Sequence, residues 1–207
     1  MIDLAPAATA VTKLVGKVKD EQLGDRTPSE NVSVAALLDH LMGLSQAFTW
    51  GAQKSGPDGK PGGGPTVVEP SAEHLDPQWR QKLPKQLDQL AAAWRAPEAW
   101  EGETQAGGVT MPAEQMGVVA LDELVLHGWD LARAIGQPFK PDPASTATVL
   151  AFTSEMAKPE HADHREGLYG PVVPVPEDAP SFDRALGFAG RDPKWKKTPS
   201  RKKMPAR

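Results

Sequence analysis

A glutamate and a histidine lie one helical turn apart in the stretch LDELVLHGWDLARAIGQ, residues 121–137. Glu123 and His127 are at positions i and i+4, so a helix points both side chains the same way. Burying an ionised carboxylate is costly unless it is paired or binds a metal. An oxygen and a nitrogen so placed can both reach one zinc-like ion, with bonds of about 2.0–2.2 Å. The pair therefore indicates a metal site, although i,i+4 polar pairs also commonly just hydrogen-bond each other.

His40 is the best candidate for a third ligand. It lies within LLDHLMGL, in a row with Ala36, Gly43 and Ala47, whose small size leaves room beside the imidazole. The alternative is a core histidine whose ring is satisfied by a carbonyl group or by Glu123. Three protein ligands leave a position open on a four-coordinate ion, which is the catalytic rather than the structural arrangement.

Asp130 follows His127 by one turn, which leaves open a role as the hydrogen-bond partner of that ring. Asp130 and Arg133, at i and i+3, are predicted to form a structural ion pair. For a hydrolytic reaction, Asp39 and Asp130 are the carboxylates near the motif that can serve as a base. Arg133 or Arg165 is a candidate for binding an anionic substrate.

A second pair of histidines, His161 and His164, has a spacing that a metal can use. The pair lies in a proline-rich stretch, which favours exposure to solvent over metal binding. The sequence contains no nucleophile-elbow, phosphate-loop or dinucleotide-binding pattern. No general acid or base is assigned.

The candidate ligands lie on predicted helices. Ser33 is predicted to cap a helix that continues to about Gly51, and Pro112 opens another that Gly136 ends. Further helices are predicted over residues 4–23, from Asp76-Pro77, from Asp142-Pro143 to before residue 159, and over 181–188. Pro84 should kink the third helix or delay its start. Residues 97–111 and 159–180 are predicted to be irregular, so the fold is all-α, a bundle of four or five helices.

Composition narrows the functional classes. The 207 residues include no cysteine, which excludes disulfides, thiolate metal ligands and a cysteine nucleophile. No stretch approaches the about 18 apolar residues of a membrane helix, and the N-terminus is a poor secretory signal, so we expect a cytoplasmic protein. Residues 191–207 carry a net charge of +7 and the remainder −11. We therefore expect a folded domain over residues 1–190, unsuited to nucleic acid, and a basic, disordered tail over 191–207.

Three stretches carry a resemblance to a known family: VAALLDHLMG, LDELVLHGWDLARAIGQP and GLYGPVVPVPEDAPSFDRALGFAGRDP. Together they resemble the actinobacterial DinB-like metalloenzymes related to the metal-binding domain of mycothiol-dependent maleylpyruvate isomerase. The resemblance covers roughly residues 5–193. It implies an up-down-down-up four-helix bundle with additional short helices and long loops rich in proline and glycine.

The resemblance also implies a function. The family pattern of one histidine and a later E-x3-H matches His40, Glu123 and His127 as ligands of one divalent ion, usually zinc, with nickel as the alternative. Mycothiol is implied as a cosubstrate, which gives a thiol-dependent transferase or isomerase acting on a small electrophile. A metal-dependent hydrolase and a non-catalytic metal- or ligand-binding protein are the alternatives. Bundles of this type often pair through helix faces, which makes a homodimer plausible.

Overall fold

The computed structural model describes residues 1–57, 59, 64, 69–165 and 168–197, without the side chain of His164. The described chain is mostly helical. Its α-helices are α1 (Ala5–Val15), α2 (Val34–Gln53), α3 (Trp79–Ala93), α4 (Ala113–Ile135), α5 (Pro143–Met156), α6 (Ala162–Arg165) and α7 (Ser181–Phe188). Single 3₁₀ turns cover Asp20–Gln22, Pro97–Trp100 and Pro159–His161.

The first four helices form the bundle, and its core lies between them. α1 packs against α3 and α4, and α2 packs against the same two helices. α1 therefore lies diagonally opposite α2, and α3 lies diagonally opposite α4. α5 packs on α4, and α7 packs on α5. α4 has neighbours on several sides, which explains why its apolar residues do not form a single stripe. The all-α, DinB-like bundle predicted from the sequence is confirmed.

Local signals set several helix boundaries. The hydroxyl of Ser33 accepts a hydrogen bond from the Ala36 amide at the start of α2, as predicted. The carboxylate of Asp142 caps α5 in the same way. Gly136, with φ of 71°, ends α4 in the left-handed conformation that glycine adopts without a steric penalty.

Two helix predictions differ from the structure. The first helix ends at Val15 rather than near residue 23, because the chain turns after Gly16 and forms a separate 3₁₀ turn. The third begins at Trp79 and continues through Pro84, so this proline does not delay the start. Pro84 has no N–H to donate to the preceding turn, and its ring crowds the carbonyl four residues earlier, so it weakens the helix without ending it.

The stretch predicted to be irregular before α4 contains a small antiparallel hairpin. Strands β1 (Glu103–Ala106) and β2 (Val109–Pro112) pair in register from Glu103 with Pro112 to Ala106 with Val109. Gly107 and Gly108 form the two-residue turn, both with positive φ. A two-residue turn of this kind matches the twist of paired strands and favours glycine at both positions. The hairpin packs against α2 and α4 and covers one end of the bundle.

The end of the chain also differs from its prediction. Residues 191–197, assigned to a disordered tail, contact the bundle: Arg191 is buried, and Lys197 forms an ion pair with Asp25. The reason is that Arg191 meets a buried carboxylate on α4. The remainder of the predicted tail, 198–207, lies outside the described residues, as do most of the glycine-rich positions between α2 and α3. No helix of the described chain is long and apolar enough to cross a membrane.

Candidate metal centre

Two packed helices bring the three predicted ligands together. His40 lies in the first half of α2, and Glu123 and His127 lie one turn apart near the middle of α4. Each side chain retains 13–20% of its exposure, so the cluster lies just beneath the surface. Within the described part of the chain, these residues form the one group of three or more acidic, histidine or cysteine side chains close enough to share an ion.

The distances fit a small divalent ion. Glu123 Oε2 is 2.9 Å from His127 Nε2 and 3.8 Å from His40 Nε2. One ligand atom from each residue lies within 4.8 Å of the other two. Tetrahedral bonds of about 2.0–2.1 Å place ligand atoms roughly 3.3 Å apart, between the two measured distances. Small rotations of these side chains would therefore suit a zinc-sized ion.

Two polar atoms of the cluster lack the partners that buried polar groups normally have. Glu123 Oε2 and His40 Nδ1 are shielded from solvent and have no hydrogen-bond partner. The 2.9 Å contact between His127 and Glu123 is short, but it lacks hydrogen-bond geometry. Unpaired buried polar atoms cost free energy and are rare in folded proteins. Their presence on one cluster fits side chains reserved for a ligand, and an oxygen–nitrogen donor set suits zinc.

The other side of the His127 ring is fully paired. Its Nδ1 lies 3.0 Å from Asp130 Oδ2, so a neutral ring bonded there donates from Nδ1 and keeps its lone pair on Nε2. Asp130 is completely buried, accepts a hydrogen bond from Ser29 Oγ at 3.0 Å and pairs with Arg191. Asp130 is therefore the hydrogen-bond partner of the His127 ring, which is the role that the sequence left open for it. A carboxylate behind a ligating histidine fixes the orientation and tautomer of the ring.

Charge in the cluster is balanced by contacts between side chains. Burial disfavours the ionised form of Glu123, but its contacts with His127 and His40 prevail and lower the pKa of the carboxyl. Burial also opposes charge on His127, whereas Asp130 and Glu123 raise its pKa to about 9. For Asp130, burial is outweighed by Arg191 and His127, which lower the pKa to about 2. The two carboxylates therefore favour a positive charge at this position, either a proton or a metal ion.

A second buried carboxyl lies beside the cluster. Asp122 is 2% exposed, and its Oδ2 accepts a hydrogen bond of 2.5 Å from the Tyr169 hydroxyl. Burial raises the pKa of Asp122 to about 7, against the effect of that hydrogen bond. Burial and the Asp122 carboxyl raise the pKa of Tyr169. The hydrogen bond between Tyr169 and Asp122 attaches the segment after α6 to α4, at the residue next to Glu123.

The predicted Asp130–Arg133 ion pair is wrong, because Asp130 pairs with Arg191. Arg133 instead donates to the Trp195 carbonyl and lies over the Trp129 ring.

The remaining polar candidates are also engaged outside the cluster. Arg165 donates to the Gly170 carbonyl, and Asp39 accepts from the Ser71 amide. His161 is paired with Glu155, and the side chain of His164 lies outside the described residues.

Comparison with known proteins assigns the chain to a family. The model of the mycothiol maleylpyruvate isomerase N-terminal domain family matches residues 4–132. The chain belongs to this family. The match includes the three clustered residues and Asp130 but ends before Arg191. The resemblance predicted from the sequence is confirmed.

The chain is also similar to individual proteins along most of its length. An uncharacterized protein from each of two Mycobacterium tuberculosis strains is 25% identical over 197 residues, covering 89% of this chain and 93% of the relative. Crystal structures of mycothiol-dependent maleylpyruvate isomerase and of a histidine-to-alanine mutant share its fold, with TM-scores of 0.52 and 0.55 at 18% identity. Each alignment covers 72% of this chain and 66% of the isomerase.

Sequence reasoning missed two residues that support the cluster. Ser29 lies in the loop before α2, and Arg191 follows α7, 61 residues after Asp130. A lone arginine beyond the last helix has no sequence pattern that ties it to a distant aspartate. Only the buried aspartate itself, on an apolar helix, indicated that a cationic partner was needed.

Proposed function

We propose that His40, Glu123 and His127 bind one divalent metal ion, most readily zinc, with nickel as the alternative. The observation that supports this is the convergence of three side chains from two helices, two of which, Glu123 and His40, carry a buried polar atom without a hydrogen-bond partner. We further propose that the chain is a mycothiol-dependent isomerase or transferase acting on a small electrophile. Membership of the isomerase family supports that part of the proposal.

The chain's own residues would act as ligands and supports in this chemistry. Bound zinc would leave a position for a thiol and would hold its sulfur as thiolate at neutral pH. Glu123, His40 and His127 would hold the ion, and Asp130 would keep the proton of His127 on Nδ1. The absence of cysteine fits a nucleophilic sulfur that comes from the cosubstrate.

For an electrophile with a carbon–carbon double bond conjugated to a carbonyl, the reaction is a reversible addition. The thiolate sulfur forms a bond to one alkene carbon, and the π electron pair moves onto the carbonyl oxygen. Rotation about the resulting single bond follows. Return of the electron pair then breaks the carbon–sulfur bond, which releases the isomer and regenerates the thiolate. No oxidant is consumed, and there is no net change in protons.

The metal is tested by plasma mass spectrometry on purified wild type, His40→Ala and His127→Ala. We expect about one zinc or nickel per wild-type chain and a loss of metal in both variants, with helix content unchanged. His74→Ala, which removes an exposed histidine outside the cluster, is the matched control and should retain the metal. Metal-free wild type after loading with zinc would reject the proposed site.

The reaction is tested with the zinc-loaded protein, mycothiol and maleylpyruvate, followed by other small unsaturated carbonyl compounds. Turnover that requires mycothiol and disappears in His127→Ala supports the proposal. A protein that binds zinc fully but turns over none of these compounds would instead be a metal- or ligand-binding protein.

A hydrolase is less well supported, because Asp130 is buried and paired, and Asp39 binds the Ser71 amide. The cytoplasmic location and the homodimer remain predictions.

A further inference from the structure

Arg191 makes one of the most enclosed polar contacts in the described chain. It follows α7 and is 8% exposed. Its Nε lies 3.0 and 3.1 Å from the two carboxylate oxygens of Asp130, and its Nη2 lies 2.8 Å from Oδ2. Its Nη1 donates to the Ala189 carbonyl at 3.1 Å. A guanidinium that uses its planar fork in this way holds a carboxylate in one orientation.

The same carboxylate oxygen contacts the candidate metal centre. Asp130 Oδ2 accepts from Arg191 and Ser29 and lies 3.0 Å from His127 Nδ1. A shift of the carboxylate would therefore change the orientation of the imidazole, whose other nitrogen faces Glu123. The path from Arg191 to the donor atom Nε2 consists of two direct contacts and one rigid ring.

We propose that Arg191 is a positioning residue of the metal centre, acting on His127 through Asp130. This inference rests on the proposed metal site. It makes the C-terminal segment, residues 189–197, part of the support for a centre whose ligands all come from α2 and α4. Two further contacts hold the segment on the bundle. Arg133 donates a hydrogen bond to the Trp195 carbonyl, and Lys197 donates one to the Asp25 carboxylate. Metal binding and docking of this segment should then strengthen each other, because coupling between two binding events is reciprocal.

The first experiment measures zinc affinity by competition with a chromophoric chelator. Arg191→Met removes the fork and keeps a long side chain, and we expect its dissociation constant to rise about tenfold or more. Arg191→Lys keeps the charge without the fork, and its dissociation constant should lie between those of the wild type and Arg191→Met. Arg80→Met is the matched control, since it breaks another arginine–aspartate pair, on α3 across the bundle. We expect that variant to bind zinc within about twofold of wild type.

A double-mutant cycle separates positioning from a general effect on folding. If Arg191 acts through Asp130, Arg191→Met should add less than about twofold to the loss already caused by Asp130→Asn. The visible spectrum of bound cobalt should change in the same variants, because it reports ligand geometry. The inference would be overturned if the double variant lost zinc affinity by the product of the two single losses. It would also be overturned if Arg191→Met bound zinc with wild-type affinity. In the second case the metal site itself would stand.

Hydrogen exchange on the wild-type chain tests the coupling without a substitution. Zinc should slow exchange of the Arg191 and Trp195 amides, bonded to the Leu186 and Asp192 carbonyls, more than that of the Trp94 amide in the distant helix end. Equal slowing at all three amides would overturn the coupling. A wild-type chain that binds no zinc would overturn both this inference and the proposed function.

Discussion

The two sides of the His127 ring differ in how completely their polar groups are paired. On the supporting side, formed by Ser29, Asp130 and Arg191, the Asp130 carboxylate accepts hydrogen bonds from Ser29 and Arg191 and lies 3.0 Å from His127 Nδ1. On the ligand side, formed by His40 and Glu123, buried donor atoms have no hydrogen-bond partner. Asp130 and Glu123 lie equally close to the ring, at 3.0 and 2.9 Å. The two sides therefore differ in the pairing of their polar atoms and not in their distance from the ring.

This difference separates groups that stabilise the fold from groups that are available to a ligand. A buried charge contributes stability only when the protein itself supplies its partners. The supporting side meets that condition, so its removal should destabilise the fold. The ligand side meets it only through contacts that lack hydrogen-bond geometry, so its removal should affect metal binding much more than the fold.

Asp130→Asn should give the largest loss of stability. The substitution keeps the shape of the side chain but leaves the Arg191 guanidinium buried without a counter-charge. Breaking a buried pair in this way costs about 3–5 kcal/mol. Urea unfolding of the metal-free protein, followed by circular dichroism, measures the effect. Asp20→Asn, which breaks the exposed pair with Arg80, should lower the free energy of unfolding much less. Equal losses in the two variants would contradict the proposed difference between the two sides of the ring.

Zinc should stabilise the wild type by about 2.7 kcal/mol when the free ion is at 100 times its dissociation constant. The gain arises because the folded chain binds the ion and the unfolded chain does not. Thermal unfolding with and without zinc measures it. His40→Ala should lose nearly all of the gain, since two donors remain. A variant that keeps the full zinc-dependent shift would remove His40 from the ligand side.

The ligand side was predictable from the sequence because it depends on local patterns. Glu123 and His127 are separated by one turn of a helix with clear boundary signals, and His40 lies on a second such helix with a capping serine. The supporting side was not predictable in the same way. Asp130 and Arg191 are 61 residues apart and meet only because α7 packs on α5, which packs on α4. Spacing alone favoured Arg133, three residues from Asp130, but that side chain points towards Trp195 instead.

The hairpin before α4 shows a different kind of failure. Its strands have four residues each, too few for an alternating pattern to be recognised. The Gly107-Gly108 turn was a usable signal, because two glycines between short extended segments are typical of a tight hairpin. Proline and glycine on both sides made an irregular loop the simpler interpretation.

Ser29→Ala should give a smaller loss on the supporting side. It removes one hydrogen bond to Asp130 and leaves the arginine fork in place, so we expect a loss of about 1 kcal/mol. The same urea experiment measures it. Ser154→Ala is the matched control, since this hydroxyl donates to the Ala151 carbonyl on the exposed face of α5. No difference between the two serine variants would show that Ser29 does not support the carboxylate.

His40→Leu should give the smallest change in the metal-free protein and yet abolish zinc binding. The imidazole contributes a buried nitrogen without a partner, and replacing an unsatisfied polar group with an apolar one is nearly neutral or stabilising. We therefore expect the free energy of unfolding, with a chelator present, to stay within about 1 kcal/mol of wild type. Leu41→Ala, one position along the same helix and fully buried, should cost about 2–5 kcal/mol and shows that the assay detects a damaged core. A large loss in His40→Leu would mean that this histidine stabilises the metal-free fold, and the distinction between the two sides of the His127 ring would no longer hold.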